Sequence, residues 1–179
     1  KFNNSEIRLV FSGTFYNGSI KYLDLLSKWL FEIKLSNKNL YNSIYIDFYG
    51  IISKENKIFE NHNNVIFHGF KKREFVNNKI FESNACLLFL TDDINYSFSS
   101  KFCDYIAMKK PIIVFSSNGL TSEYVFSNKI GHSLSFNDNF KNLLFILSSI
   151  TKPENYYIEF DSNDFNLEKL TLDYLNIFK

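Results

Sequence analysis

The chain has 179 residues, 45% of them hydrophobic and 18% aromatic, which is enough apolar material for a sizeable core and excludes a disordered chain. The formal charge is only +1 and no basic run exceeds a few residues, so a broad nucleic-acid-binding face is excluded. No apolar stretch reaches the roughly 20 residues that span a bilayer, and no signal peptide is expected.

Residues 7–12 (IRLVFS) read as a short strand that ends at Gly13. Residues 20–35 carry Leu23, Leu26, Trp29, Leu30 and Ile33 at helical spacing. Strands follow at 44–49, ending at Gly50, and at 65–68, ending at Gly69. The spacing then predicts a helix over 73–83, with Phe75, Val76, Ile80 and Phe81 on one side. An all-apolar strand at 86–90 leads through a long polar loop to a helix at 100–109. Residues 112–115 (IIVF) form the next strand, ending near Gly119. A helix around 120–128, a short segment at 130–135 and a helix at 139–150 follow. The tail, 164–178, places Leu167, Leu170, Tyr174, Leu175 and Phe178 along one helical face, read as core docking onto the sheet domain.

Strands alternate with helices, and several strands are apolar on both faces, as buried parallel strands are. The expected fold is therefore α/β, a doubly wound, Rossmann-like parallel sheet with a C-terminal helix. Residues 1–153 form the sheet domain and 154–179 a helical tail packed on it, with Pro153 at the join. The first residue is Lys1 and the sole methionine is Met108, so the chain is expected to be a fragment of something longer. Cys86 and Cys103 lie in apolar runs and read as buried free thiols in a reducing compartment.

Gly13, Gly50, Gly69 and Gly119 each follow a strand's C-terminal end, the edge where open parallel sheets bind ligands. Turn chemistry accounts for Gly50 and Gly119. Gly13 and Gly69 are read as points of close ligand approach. The segment SSKFCDYIAMKKPIIV carries the main constellation. Ser99 or Ser100 is a good helix cap. Free N–H groups at a helix start attract phosphate, and Lys101 suits that position only if an anion sits there. Asp104 shares a face with Ser100 and lies about 6 Å further along the helix, the reach from a nucleotide's phosphates to its ribose. The plainer reading is a capped helix with an exposed Lys101–Asp104 pair.

That segment resembles the "P-S-K-hydrophobic-x-E-Y-hydrophobic-A-x-x-K-P" stretch of glycosyltransferase family 4, enzymes of the GT-B fold with two Rossmann-like domains. RLVFSGTFYNGSIKYLDLL is similar to the opening of the family's C-terminal domain, and VIFHGFKKREFVNNKIFESNACLLFL to the stretch that follows. SSNGLTSEYVFSNKIGHSLSFND extends the likeness, which covers roughly residues 7–150.

The resemblance implies a site for a nucleotide-diphosphate sugar, a UDP- or GDP-sugar, with no metal and no further cofactor. It implies that Ser99, Ser100 and Lys101 meet the diphosphate, above a small-residue turn at Gly13 and Thr14. Gly69, Phe70 and Lys71 match the loop against the base. Asp104 stands where the family has the glutamate that grips ribose, and is one methylene shorter. Tyr96 stands where a second glutamate often sits. Thr14 replaces an arginine, and Lys21 falls near the lysine that accompanies it. The implied activity is that of a retaining glycosyltransferase building a bacterial surface polysaccharide such as lipopolysaccharide or capsule. It would act in the cytoplasm or at the inner face of the membrane, on a glycan or lipid-linked acceptor. The N-terminal acceptor domain is absent from this chain, the isolated domain is expected to be inactive, and the resemblance assigns no catalytic residue.

Other chemistries find little support. His62, His68 and His132 show no metal-ligand spacing with the cysteines. A P-loop, a dinucleotide fingerprint and a hydrolase nucleophile elbow are all missing. Asp92 and Asp93 read as a solvated turn, with Mg²⁺ or the donor sugar as the functional alternative. KKRE at 71–74 reads as an exposed helix start, with phosphates or an anionic membrane surface as its alternative. Two rivals stay open: one half of a nucleotide-sugar epimerase, and a non-catalytic α/β interaction module.

Overall fold

A computed structural model describes residues 6–51, 55–92, 97–117, 119–152 and 156. Pro153, the tail over 164–178, Asp93 and Tyr96 lie outside the described residues. Among the described residues six strands form one sheet: β1 (Ile7–Ser12), β2 (Ile44–Tyr49), β3 (Val65–Gly69), β4 (Ala85–Phe89), β5 (Ile112–Phe115) and β6 (Gly131–Leu134). Their order is β3-β2-β1-β4-β5-β6, and every neighbouring pair is parallel. This is the doubly wound, Rossmann-like α/β fold.

The helices are α1 (Ile20–Ser36), α2 (Lys38–Ser43), α3 (Arg73–Glu82), α4 (Ser100–Ala107), α5 (Leu120–Ser127) and α6 (Phe140–Ile150). They cover both faces of the sheet, which explains why β4 and β5 are buried at every position. Alternate residues of each strand feed two cores. Leu9, Phe11, Leu87 and Phe115 pack with α1, α2 and α6. Val10, Leu88, Ile112 and Val114 pack with α3, α4 and α5. In α1 the five apolar residues at helical spacing are all buried, as expected of a stripe facing a sheet.

Three local features depart from the sequence reading. The spacing puts four apolar residues on one side of α3, but only Val76 and Ile80 are buried, while Phe75 and Phe81 are exposed. At 3.6 residues per turn each phenylalanine is turned about 100° away from the Val76–Ile80 stripe. Helix α2 was not expected. Asn37 caps it by accepting from the Leu40 N–H at 3.0 Å, and Tyr41 buries its only anchor. Helix α4 stops at Ala107, two residues early, because Lys109 takes a left-handed φ of 50° ahead of Pro111.

Candidate nucleotide-binding cleft

The strand order reverses between β1 and β4. Loops leaving these two strands run in opposite directions, and the crevice between them opens at the C-terminal edge of the sheet. Two adjoining hollows lie at this edge, of about 220 Å³ and 190 Å³. They share Ser12, Phe70, Lys71 and Val76, so they form one continuous cleft. The larger part is bounded by Arg73, Lys101, Asp104 and Tyr105, and the smaller by Gly13, Thr14, Tyr49 and Gly50.

The floor is stitched from strand ends. The Gly13 N–H donates to the Tyr49 carbonyl at 2.8 Å, and the Gly50 N–H to the Gly69 carbonyl at 3.0 Å. Gly50, at φ 137°, has no room for a side chain, since a Cβ would lie 1.9 Å from the Gly13 carbonyl oxygen. Its glycine is thus required by backbone packing as well as by the turn. The buried Tyr105 hydroxyl accepts from the Ser12 N–H at 3.0 Å, which fixes the end of β1 against α4. Burial pushes that phenol well above its ordinary pKa.

Lys101 crosses this floor. A Cβ at Gly13, which also has a left-handed φ of 135°, would lie 1.8 Å from Lys101 Cε. The amine reaches over the turn and donates to the Thr14 carbonyl at 3.3 Å. It lies 5.5 Å from the centre of the Phe11 ring and 5.3 Å from that of Tyr16. No carboxylate pairs with it among the described residues. Burial lowers its pKa below the ordinary lysine value, the direction expected of a cation short of solvent.

The other expected residues are placed as follows. Ser99 caps α4, its hydroxyl accepting from the Phe102 N–H at 3.2 Å, and Ser100 opens the helix exposed to solvent. Asp104 does not pair with Lys101. Its Oδ1 accepts from Arg73 Nη2 across the cleft at 3.0 Å. Thr14, Phe70 and Lys71 line the cleft, and Gly69 sits beside open space, with nothing within 4 Å of a Cβ. The walls thus carry three cations, Lys71, Arg73 and Lys101, against the single carboxylate of Asp104.

Lys21 points elsewhere. It forms an ion pair with Asp92, which also accepts from Tyr22 Oη at 2.9 Å and Ser117 Oγ at 2.8 Å. The Lys21 hydrogen bond, helped by these hydroxyls, holds the Asp92 carboxyl down to about 2. Asp92 is an exposed turn residue, as expected, but one held by three partners. It ties together the chain segments that follow β1, β4 and β5.

Arg73 was not singled out by the sequence as a site residue, and Asp92 was weighed only as a site for Mg²⁺ or the donor sugar, not as the partner of Lys21. Their partners lie 31 and about 70 positions away, beyond any local spacing rule. Arg73 was nonetheless part of the KKRE cluster, which opens α3 at the cleft mouth.

The histidines have ordinary partners: His62 meets Tyr41 Oη at 3.0 Å, His68 meets the buried Asp47 at 2.6 Å, and His132 meets Ser149 Oγ at 3.1 Å. No group of three or more His, Cys, Asp or Glu arranged to hold a metal occurs among the described residues. No helix among them is long and apolar enough to cross a membrane.

No known protein-family profile matches the sequence, and no curated protein matches it either. Solved structures do. WaaG, a glycosyltransferase involved in lipopolysaccharide biosynthesis, aligns with a TM-score of 0.61 at 12% identity, over 86% of this chain and 42% of its own. A TarM mutant from S. aureus, in complex with Fondaparinux, alpha-GlcNAc-glycerol and UDP, aligns at 0.61 and 17%, over 100% of this chain and 36% of its own. HepE from Anabaena, in complex with UDP and glucose, aligns at 0.59 and 9%, over 84% of this chain and 40% of its own. The shared fold is that of the C-terminal domain of GT-B glycosyltransferases. The chain spans less than half the length of these three structures.

Proposed function

We propose that this chain is the donor-binding half of a retaining sugar transferase of the GT-B type, taking a UDP- or GDP-sugar. One observation carries the reading. A partly buried lysine with no carboxylate partner among the described residues lies across a glycine turn at the point where the strand order reverses. The surplus of positive charge on the cleft walls suits a diphosphate. The UDP held by the TarM and HepE structures, which share this fold, supports the same ligand class.

In this reading Lys101 and the first-turn N–H groups of α4 meet the diphosphate, with Gly13 and Thr14 beneath it. Asp104 accepts from the ribose hydroxyls, and Phe70 and Lys71 flank the base. Sugar transfer breaks the bond between the anomeric carbon and the phosphate oxygen and forms one from that carbon to an acceptor hydroxyl oxygen, whose proton passes to the leaving phosphate or to water. Negative charge then develops on the leaving diphosphate, and the Lys101 ammonium stabilises it in place. The acceptor and the rest of the catalytic machinery come from a second domain. The role of WaaG in lipopolysaccharide biosynthesis favours a bacterial surface glycan as the product.

Calorimetric titration of the chain with UDP, GDP and dTDP tests the proposal. Binding of at least one, abolished or strongly weakened in Lys101→Ala, is the expected result. Absence of binding by all three refutes the reading.

A further inference from the structure

Asp104 stands on the second turn of α4 with its side chain 47% exposed, so its local surroundings do little to fix its rotamer. What fixes it is Arg73, the first residue of α3 on the opposite wall, through the 3.0 Å bond to Oδ1. Asp104 Oδ2 has no protein partner among the described residues. Arg73 is itself costly where it stands. A cation at a helix N-terminus opposes the helix dipole, and Lys72 leaves that terminus without a side-chain cap. An exposed pair of this kind adds little to folding stability. Its consequence is positional: one carboxylate oxygen is tied to Arg73 and the other is left without a protein partner among the described residues, on a side chain that lines the cleft.

We infer that Arg73 is a positioning residue that makes the site selective for a ribonucleotide. Held by Arg73, Asp104 offers Oδ2 to the ribose 2′-hydroxyl. Without it, the short aspartate side chain is free to swing to solvent and the site distinguishes ribose from deoxyribose less well. The inference rests on the reading of the cleft as a nucleoside-diphosphate site.

The test is calorimetric titration of the 179-residue chain with UDP and GDP, each beside its 2′-deoxy counterpart. Wild type, Arg73→Ala, Arg73→Lys and Asp104→Ala are compared. Wild type is expected to prefer the ribonucleotide by about tenfold, the size of one hydrogen bond to a charged group. In Asp104→Ala that preference falls to near one, in Arg73→Ala it falls by about threefold, and Arg73→Lys restores part of the loss. Arg73 is 80% exposed, so its replacement leaves the fold intact, which thermal melting checks. Equal loss of ribo- and deoxynucleotide affinity in Arg73→Ala overturns the inference, since Arg73 would then act only as a charge for the phosphates. An unchanged preference in Arg73→Ala overturns it as well. Failure of wild type to bind any nucleoside diphosphate overturns both the inference and the site reading, and is distinct from either of those outcomes.

Discussion

Two groups of charged residues sit at the same edge of the sheet and differ in one respect. Around Asp92, every charge has an answer: Lys21 pairs with it, and Tyr22 and Ser117 donate to it. Around Lys101, the answers run out. The amine has a carbonyl and two aromatic faces, Asp104 is taken by Arg73, and a cleft lies open between them. Lysine beside aspartate describes both groups in composition. What separates the two groups is the surplus, positive charge held in place with nothing among the described residues to neutralise it.

The contrast can be broken most forcefully at Lys101. Lys101→Ala is expected to weaken nucleoside-diphosphate binding by about 2–3 kcal/mol, the scale of a charge-assisted contact. Thermal stability should hold or rise, because a partly buried cation is removed. Calorimetry and a melting curve read the two effects separately. Asp92→Ala should behave in the opposite way, losing about 1–2 kcal/mol of stability as its two hydroxyl bonds go and Lys21 is released. Nucleotide affinity should stay within about twofold, well under the tenfold that 1.4 kcal/mol represents. A large affinity loss there would mean that the brace is part of the site. Gly13→Ala should fall between the two. The added methyl must displace the Lys101 stem at a left-handed φ, costing about 1 kcal/mol in stability and a similar amount in binding.

The pH dependences sharpen the same comparison with smaller effects. Binding uses the charged form of Lys101, whose pKa in the free protein lies below the ordinary 10.5. Affinity should be full near neutrality and fall as the pH rises through that lowered value, while Lys101→Arg keeps binding flat to higher pH. Asp92 acts at the other end. Its folded pKa of about 2 lies below the ordinary 3.8, so its contribution is present above pH 3.8 and lost as the pH falls towards 2. Asp92→Asn should remove that part of the acid destabilisation, measured by denaturant titration at fixed pH values.

The sheet was largely legible because two of its strands are the all-apolar runs IIVF and CLLFL and others end at Gly13, Gly50 and Gly69, a pattern that suits a buried parallel sheet. Gly13, Phe70, Lys71, Lys101 and Asp104, which the family resemblance had grouped, line one cleft for a topological reason. All of them follow strand ends, and strand ends of a parallel sheet share one edge. Long-range pairings had no such guide. Nothing local says that Arg73 takes Asp104, or that Asp92 takes Lys21, because these partners meet only after the sheet has formed. The six-residue α2 is too short to show a period, and the two-residue stripe of α3 is too narrow to tell buried phenylalanines from exposed ones.

The most direct test is to follow backbone amide shifts of the isotopically labelled chain by nuclear magnetic resonance as UDP or GDP is added. The account predicts perturbation of Gly13, Thr14, Phe70, Lys71 and Lys101, with Lys21, Tyr22, Asp92 and Ser117 left in place. Shifts concentrated on the Asp92 group, with the Lys101 cleft unmoved, would contradict it.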